Sequence, residues 1–280
     1  MYKIVSRKEL NPTVTLIDVE APFIAKKGLP GQFIILRVDK EGERVPFTIA
    51  GTDPKKGTVT IIFQIVGAST EKLNHLKVGD SIADFIGPLG KPSELDGLKK
   101  VCVVGGGVGC AIAYPITKYL HDHKANVTAI CGFRNKDLVI LEDEFKKNST
   151  KLIRMSDDGS WGEQGLVTNA LEKEIQAGEK YDEVITIGPL IMMKFVCEVT
   201  KKYNIKTIVS MNPIMIDGTS MCGGCRLMVD GKMRFACVDG PDFDGHKVDF
   251  DNAMLRNTMY KDFEKHQYDE ACNLLRKGAK

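Results

Sequence analysis

Across roughly the first hundred residues, apolar positions come in short β-branched runs broken by turn residues. "TVTIIFQIV" (58–66), "VTLIDVEA" (14–21), "QFIILRVD" (32–39) and "PFTIA" (46–50) each predict a strand. "KKGLPGQ", "DKEGE" and "DPKKG" supply the turns between them. "STEKLNHL" (69–76) predicts one short helix, with Ser69 or Thr70 as its cap. Many short strands and one helix imply a small antiparallel β-barrel. From about residue 99 the period changes. "KKVCVV", "NVTAICG", "KLIRMS", "DEVITIG" and "KTIVSM" predict buried strands. Helical patterns separate several of them: "CAIAYPITKYLHDH", "LVTNALEKEIQAG" and "LIMMKFVCEVTKKYN". Strands alternating with helices imply a doubly wound parallel α/β sheet. The pattern divides the chain into a barrel at 1–97, an α/β nucleotide-type domain at 98–211, a glycine- and cysteine-rich irregular segment at 212–250 and a charged helical tail at 251–280.

Composition adds little to this. A length of 280 residues fits about two domains, and 43% apolar residues can bury cores of that size. The formal charge of +2 gives no warrant for nucleic-acid or membrane-surface binding. The longest apolar stretch, 101–116, contains four glycines and Pro115, so no membrane span is expected. The N-terminus lacks the apolar run of a signal peptide, and a cytoplasmic location is the expectation. Of eight cysteines, Cys102, Cys110, Cys131, Cys197 and Cys272 are scattered, which suits packed thiols, whereas Cys222, Cys225 and Cys237 fall close together.

Three stretches carry candidate chemistry. "VVGGGVG" sets Gly105, Gly106, Gly107 and Gly109 between a predicted strand and helix, where backbone amides can approach a pyrophosphate. The same glycines would also serve a tight strand–helix turn. Asp157, after the third strand of that domain, suits either a ribose contact or an Asx turn. "RVPFTIA" brings a cation, a ring and a hydroxyl together at Arg44, Phe47 and Thr48. On an extended segment Arg44, Pro46 and Thr48 share one face. Such a set suits a diphosphate and a flavin ring, and equally a surface charge beside a core aromatic. Asp217, Cys222, Cys225 and Cys237 follow the spacing D-x4-C-x2-C-x11-C. The plant-type [2Fe–2S] pattern is C-x4-C-x2-C with a distant fourth cysteine, and Asp217 would occupy the first place. A carboxylate is an anionic, hard donor suited to ferric iron. Three cysteines and a carboxylate also suit zinc. Gly218, Gly223 and Gly224 allow a loop that turns amides toward sulfur.

The order "LPGQF", "RVPFTIA", "VGAST", "GPLG", glycine loop, "IGPLIMM" resembles the ferredoxin–NADP reductase-like flavoproteins over about residues 1–212. That resemblance implies an FAD site at Arg44, Pro46, Phe47 and Thr48, with Gly67, Ser69 and Thr70 near the FAD diphosphate. It implies an NAD(H) diphosphate at Gly105–Gly109 and a nicotinamide pocket bordered by Gly188 and Pro189. The segment "MIDGTSMCGGCRLMVDGKMRFACVDG" is similar to the iron–sulfur segment of dihydroorotate dehydrogenase electron-transfer subunits. Its aspartate and "SMCGGCR" are more similar to the small subunits of NADH-dependent ferredoxin:NADP oxidoreductases, which bifurcate electrons. What this implies is an oxidoreductase subunit carrying FAD and a [2Fe–2S] cluster and using NAD(H). A larger flavin and iron–sulfur subunit would complete a heterodimer, linked indirectly to ferredoxin and NADP(H). An electron-transfer subunit for dihydroorotate dehydrogenase is the near alternative, and a zinc-stabilised binding module the alternative of another class.

Overall fold

The computed structural model describes the backbone of residues 1–278 and the side chains of residues 1–269, so Cys272 lies outside the described side chains. The first sheet is antiparallel. It is built from β1 (Tyr2–Asn11), β2 (Val14–Glu20), β3 (Phe33–Arg37), β4 (Val45–Asp53), β5 (Thr58–Gln64), β6 (Ser81–Ile82) and β7 (Asp84–Leu89). Their order is β6-β1-β2-β5-β4-β3-β7, a nearly closed barrel. A short α1 (Pro22–Ala25) and the helix α2 (Ala68–His75) flank it. Ile17, Val19, Ile34, Leu36, Ile61 and Phe63 fill the barrel.

The second sheet carries β8 (Lys100–Gly106), α3 (Gly109–Asp122), β9 (Asn126–Phe133), α4 (Glu142–Asn148), β10 (Lys151–Ser156), β11 (Glu163–Gln164), α5 (Val167–Gln176), β12 (Glu183–Ile187), α6 (Leu190–Lys202) and β13 (Thr207–Ser210). Strand β8 is central and nearly all buried, as a parallel strand covered on both faces must be. The expected barrel and doubly wound sheet are therefore both present. They share a core: Val14, Ala50 and Ile62 of the barrel join the apolar cluster that holds Ala111, Ala113 and Ile116 of α3.

The segment after β13 is more regular than its glycines predict. It contains the hairpin β14 (Arg226–Val229) and β15 (Lys232–Phe235), a turn of helix α7 (Ala236–Asp239) and β16 (Asp242–Asp244). Strand β16 pairs antiparallel with β13, so this segment closes the edge of the parallel sheet. Helix α8 (Phe250–Arg256) buries Phe250 and Ala253 in the same cluster as Cys225 and Cys237. Helix α9 (Lys261–Gly278) follows and lies along α2 of the barrel.

Candidate functional site

The alternation of β3 organises the centre of the molecule. Ile34 and Leu36 point into the barrel, whereas Phe33 and Ile35 enter the apolar cluster that holds Cys225, Cys237, Met211 and Met215. Strand β4 pairs with β3 in the register Phe33↔Thr48, Ile34↔Phe47, Ile35↔Pro46. Directly opposed residues share a sheet face. Pro46 and Thr48 therefore emerge on the face that looks away from the barrel core, and Arg44 precedes them in an exposed position. Phe47 turns the other way. Its ring sits 5.9 Å from that of Phe63 and packs on the barrel core. The structure thus brings Pro46 and Thr48 together and turns Phe47 to the opposite side.

The chain around Arg44 approaches α2 through its neighbours. The preceding residue, Glu43, accepts a hydrogen bond from Ser69 Oγ at 3.2 Å, and Asp39 pairs with Lys72 at 3.3 Å. Helix α2 begins one residue earlier than predicted, with Gly67 rather than Ser69 or Thr70 as N-cap. Thr70 Oγ1 instead turns back, accepts from the amides of Val66 and Gly67 at 3.0 Å each and donates to Gly67 O at 2.9 Å. A side chain added at Gly67 would meet nothing within 4 Å. The helix N-terminus is open there, as a site for an anion requires.

In the second sheet the order β11-β10-β9-β8-β12-β13 reverses direction at β8. The crevice at the carboxyl ends of β8 and β12 is where such sheets bind nucleotides. Gly105, Gly106, Gly107 and Gly109 sit at the end of β8, and Gly188 and Pro189 at the end of β12. They touch each other. A Cβ on Gly109 would run into the carbonyl of Ile187 and lie 2.7 Å from Gly188 Cα, and one on Gly188 would lie 3.1 Å from Gly106 O. Gly107 adopts φ +54° and faces open space. Asp157 is exposed after β10, and its amide donates to Phe133 O at 3.1 Å. Arg134 is exposed at the end of β9.

The cysteine segment places its donors in two pairs. Asp217 Oδ1 accepts from Thr219 N at 2.8 Å, and Oδ2 from Cys222 N at 2.6 Å. These amides hold the carboxyl below its ordinary range, so it stays anionic. Cys225 and Cys237 meet side chain to side chain, and burial pushes the Cys237 thiol up to about 12. A bound cation reverses that effect by favouring thiolate. Each of the three sulfurs accepts a backbone amide: Cys237 Sγ from Ser220 at 3.2 Å, Cys222 Sγ from Gly224 at 3.4 Å and Cys225 Sγ from Cys237 at 3.5 Å. Gly218 (φ +75°), Ser220 (φ +70°) and Gly223 (φ +66°) turn the loop so that its amides face inward. A Cβ at Gly218 would meet Leu89 of β7 at 2.7 Å and Ile35 of β3 at 3.3 Å. The loop therefore rests on the outer face of the barrel. Among the described residues no three His, Cys, Asp or Glu side chains form a group that would hold a single metal ion.

His246 is half-buried with Nε2 3.0 Å from Thr200 Oγ1 on α6. Met211 and Met215 are core, whereas Met221 is 90% exposed and Met233 55%. Cys110 and Cys131 are packed thiols as expected. Two arginines were not foreseen. Arg226 Nη1 donates to Gly223 O at 2.8 Å and Arg256 Nη2 to Gly224 O at 3.3 Å. Arg226 follows the C-x2-C pair directly, a signal present in the sequence; Arg256 arrives from α8 with no local signal.

Comparison with known proteins agrees with these features. Residues 212–249 match the family model described as the iron–sulfur cluster binding domain of dihydroorotate dehydrogenase B. The chain is 51% identical over 269 residues to an uncharacterized protein from the adh 3′ region of Clostridium beijerinckii, covering 93% of this chain and 91% of that protein. It is 42% identical to a dihydroorotate dehydrogenase B (NAD+) electron transfer subunit homolog of Thermotoga maritima, covering 96% and 95%. Among solved structures it is similar to a chain from work on flavin-based electron bifurcation in the NADH-dependent reduced ferredoxin-NADP oxidoreductase. The TM-score is 0.91 at 41% identity, over 96% of this chain and 97% of that one. No helix among the described residues is long and apolar enough to cross a membrane.

Proposed function

Because the chain belongs to the family of dihydroorotate dehydrogenase B electron-transfer subunits and their homologues, we propose that it is an NAD(H)-dependent oxidoreductase subunit. It carries FAD and a [2Fe–2S] cluster. It exchanges reducing equivalents with a larger flavin and iron–sulfur partner in a heterodimer of the NADH-dependent ferredoxin–NADP oxidoreductase type. Bound FAD would supply the conversion between one two-electron hydride and two single electrons, which nicotinamide cannot make.

The chain's own residues bind and orient. Arg44 and the open N-terminus of α2, set by Gly67, Ser69 and Thr70, suit a diphosphate. Pro46 and Thr48 border the flavin ring on the outer face of β4. Phe47 supports that strand from inside the barrel. The amides of Gly105–Gly109 suit the NAD(H) diphosphate, Gly188 and Pro189 border the nicotinamide, and Asp157 suits the ribose.

One observation carries the cluster: the donors meet two by two, the Cys222 amide donating to Asp217 Oδ2 at 2.6 Å and the Cys237 amide to Cys225 Sγ at 3.5 Å. A two-iron cluster takes two protein ligands on each iron, whereas zinc needs four on one point. The pairing fits the former, and the inward amides suit bridging and ligand sulfur. The loop rests on Ile35, the cross-strand neighbour of Pro46, so the proposed flavin edge and cluster lie over the same outer face of one strand pair.

The test is an anaerobic preparation of the native complex. We expect flavin and charge-transfer absorption, two irons per chain, a paramagnetic signal after dithionite and a co-purifying larger subunit by native mass spectrometry. A colourless protein with one zinc overturns the reading. The name of the Thermotoga relative favours a second reading, an electron-transfer subunit for dihydroorotate oxidation. Orotate formation by the co-purified complex would select it.

A further inference from the structure

Resting on the cluster reading above, we infer that Arg226 and Arg256 tune the cluster's reduction potential through the peptide planes of the C-x2-C turn. The carbonyl of Gly223 and the amide of Gly224 belong to one peptide unit. Arg226 Nη1 donates to that carbonyl at 2.8 Å, and the Gly224 amide of the same unit donates to Cys222 Sγ at 3.4 Å. The result is a continuous chain from guanidinium through peptide to sulfur. A charged donor on the carbonyl draws electron density from the unit and strengthens its N–H as a donor.

Arg256 repeats the arrangement one unit on. Its Nη2 donates to Gly224 O at 3.3 Å, and the amide of that unit is the one of Cys225. The two arginines come from different elements, β14 and α8, and flank a cavity of about 170 Å³ that also exposes Cys222, Ile214 and Leu190. Polarised amides and nearby positive charge favour the cluster form that carries the extra electron, so both arginines raise its potential. They touch no ligand atom directly, and their role is positional and electrostatic. Arg226 has the larger effect, because its bond is shorter and ends on a peptide that reaches sulfur.

The experiment uses the full chain in its native complex, with iron counted and the midpoint read by paramagnetic-resonance titration. Arg226→Gln removes the charge and keeps an amide donor. It is expected to lower the midpoint by about 59 mV, a tenfold change in the one-electron equilibrium. Arg256→Gln lowers it by less, and Arg226→Lys, which keeps the charge, restores most of the loss. A purely structural role would change iron content and leave the midpoint of loaded protein unmoved. If Arg226→Gln fails to hold iron, Arg256→Gln decides the matter by the same reading. Glutamine variants with two irons and wild-type midpoints overturn the arginines' role alone. Wild-type protein without two irons overturns the cluster reading, and this inference with it.

Discussion

Gly109 shows how tightly the nucleotide crevice is built. Its position at the start of α3 leaves no room for a methyl group against Ile187 O and Gly188. Gly109→Ala forces helix and strand apart, and overpacking of this kind costs about 1–3 kcal/mol. The thermal midpoint should fall and NAD(H) affinity should weaken with it. Asp217 is the second residue whose identity matters. It anchors the Thr219 and Cys222 amides, and in the proposed cluster its carboxylate would take the place of a thiolate ligand. Thiolate donates more electron density than carboxylate, so Asp217→Cys should lower the cluster midpoint in a redox titration. An unchanged or higher value would remove the tuning role assigned to Asp217. The glycine loop and the cysteine spacing were legible because local backbone freedom and ligand spacing are written in consecutive residues. That Phe47 faces the barrel interior was not: alternation sets it opposite Pro46 and Thr48, but which face is inward depends on pairing with Ile34, thirteen positions away in sequence.

At the scale of elements, α2 depends on a single hydroxyl. Thr70 Oγ1 satisfies two amides that otherwise have no partner at the helix entrance. Thr70→Val should cost about 1 kcal/mol in a denaturant melt and release FAD more readily, because the same turn holds the open helix end. The polarity pattern hid some elements. Strand β1 reads "YKIVSRKELN", with Ile4 its one buried residue. It forms because β2 and β6 satisfy its backbone, which no alternation announces. The cysteine segment was expected to be irregular, since glycine and charge dominate it. It is ordered instead by the β14–β15 hairpin and by the pairing of β16 with β13.

Across the whole molecule, Asp242 on β16 ties the parts together. Its Oδ2 accepts from Ser93 Oγ, in the stretch after the barrel, at 2.5 Å, while Oδ1 is buried with no partner. Burial holds its carboxyl above the ordinary range, and the nearby Glu183 on β12 is raised likewise despite Lys206. A raised folded pKa means that the folded state holds the proton longer. The associated stability is full below the unfolded carboxylate pKa, about 4, and is lost as pH rises through the folded value. The unfolding midpoint should therefore decline with rising pH over that window, and Asp242→Asn should flatten the decline without abolishing it, Glu183 supplying the rest. A slope identical to wild type would show that Asp242 is not the group responsible.

The sequence by itself determined the two sheet types, the glycine turn and the four candidate cluster ligands. These follow from periodicity, backbone freedom and spacing within a few residues. Only the tertiary structure decided that the cluster loop rests on β3, that β16 completes the nucleotide sheet, and that Arg256 reaches the turn from α8. Those contacts join residues far apart along the chain. Their reason is complementary shape and hydrogen bonding between finished elements, and no local pattern encodes it.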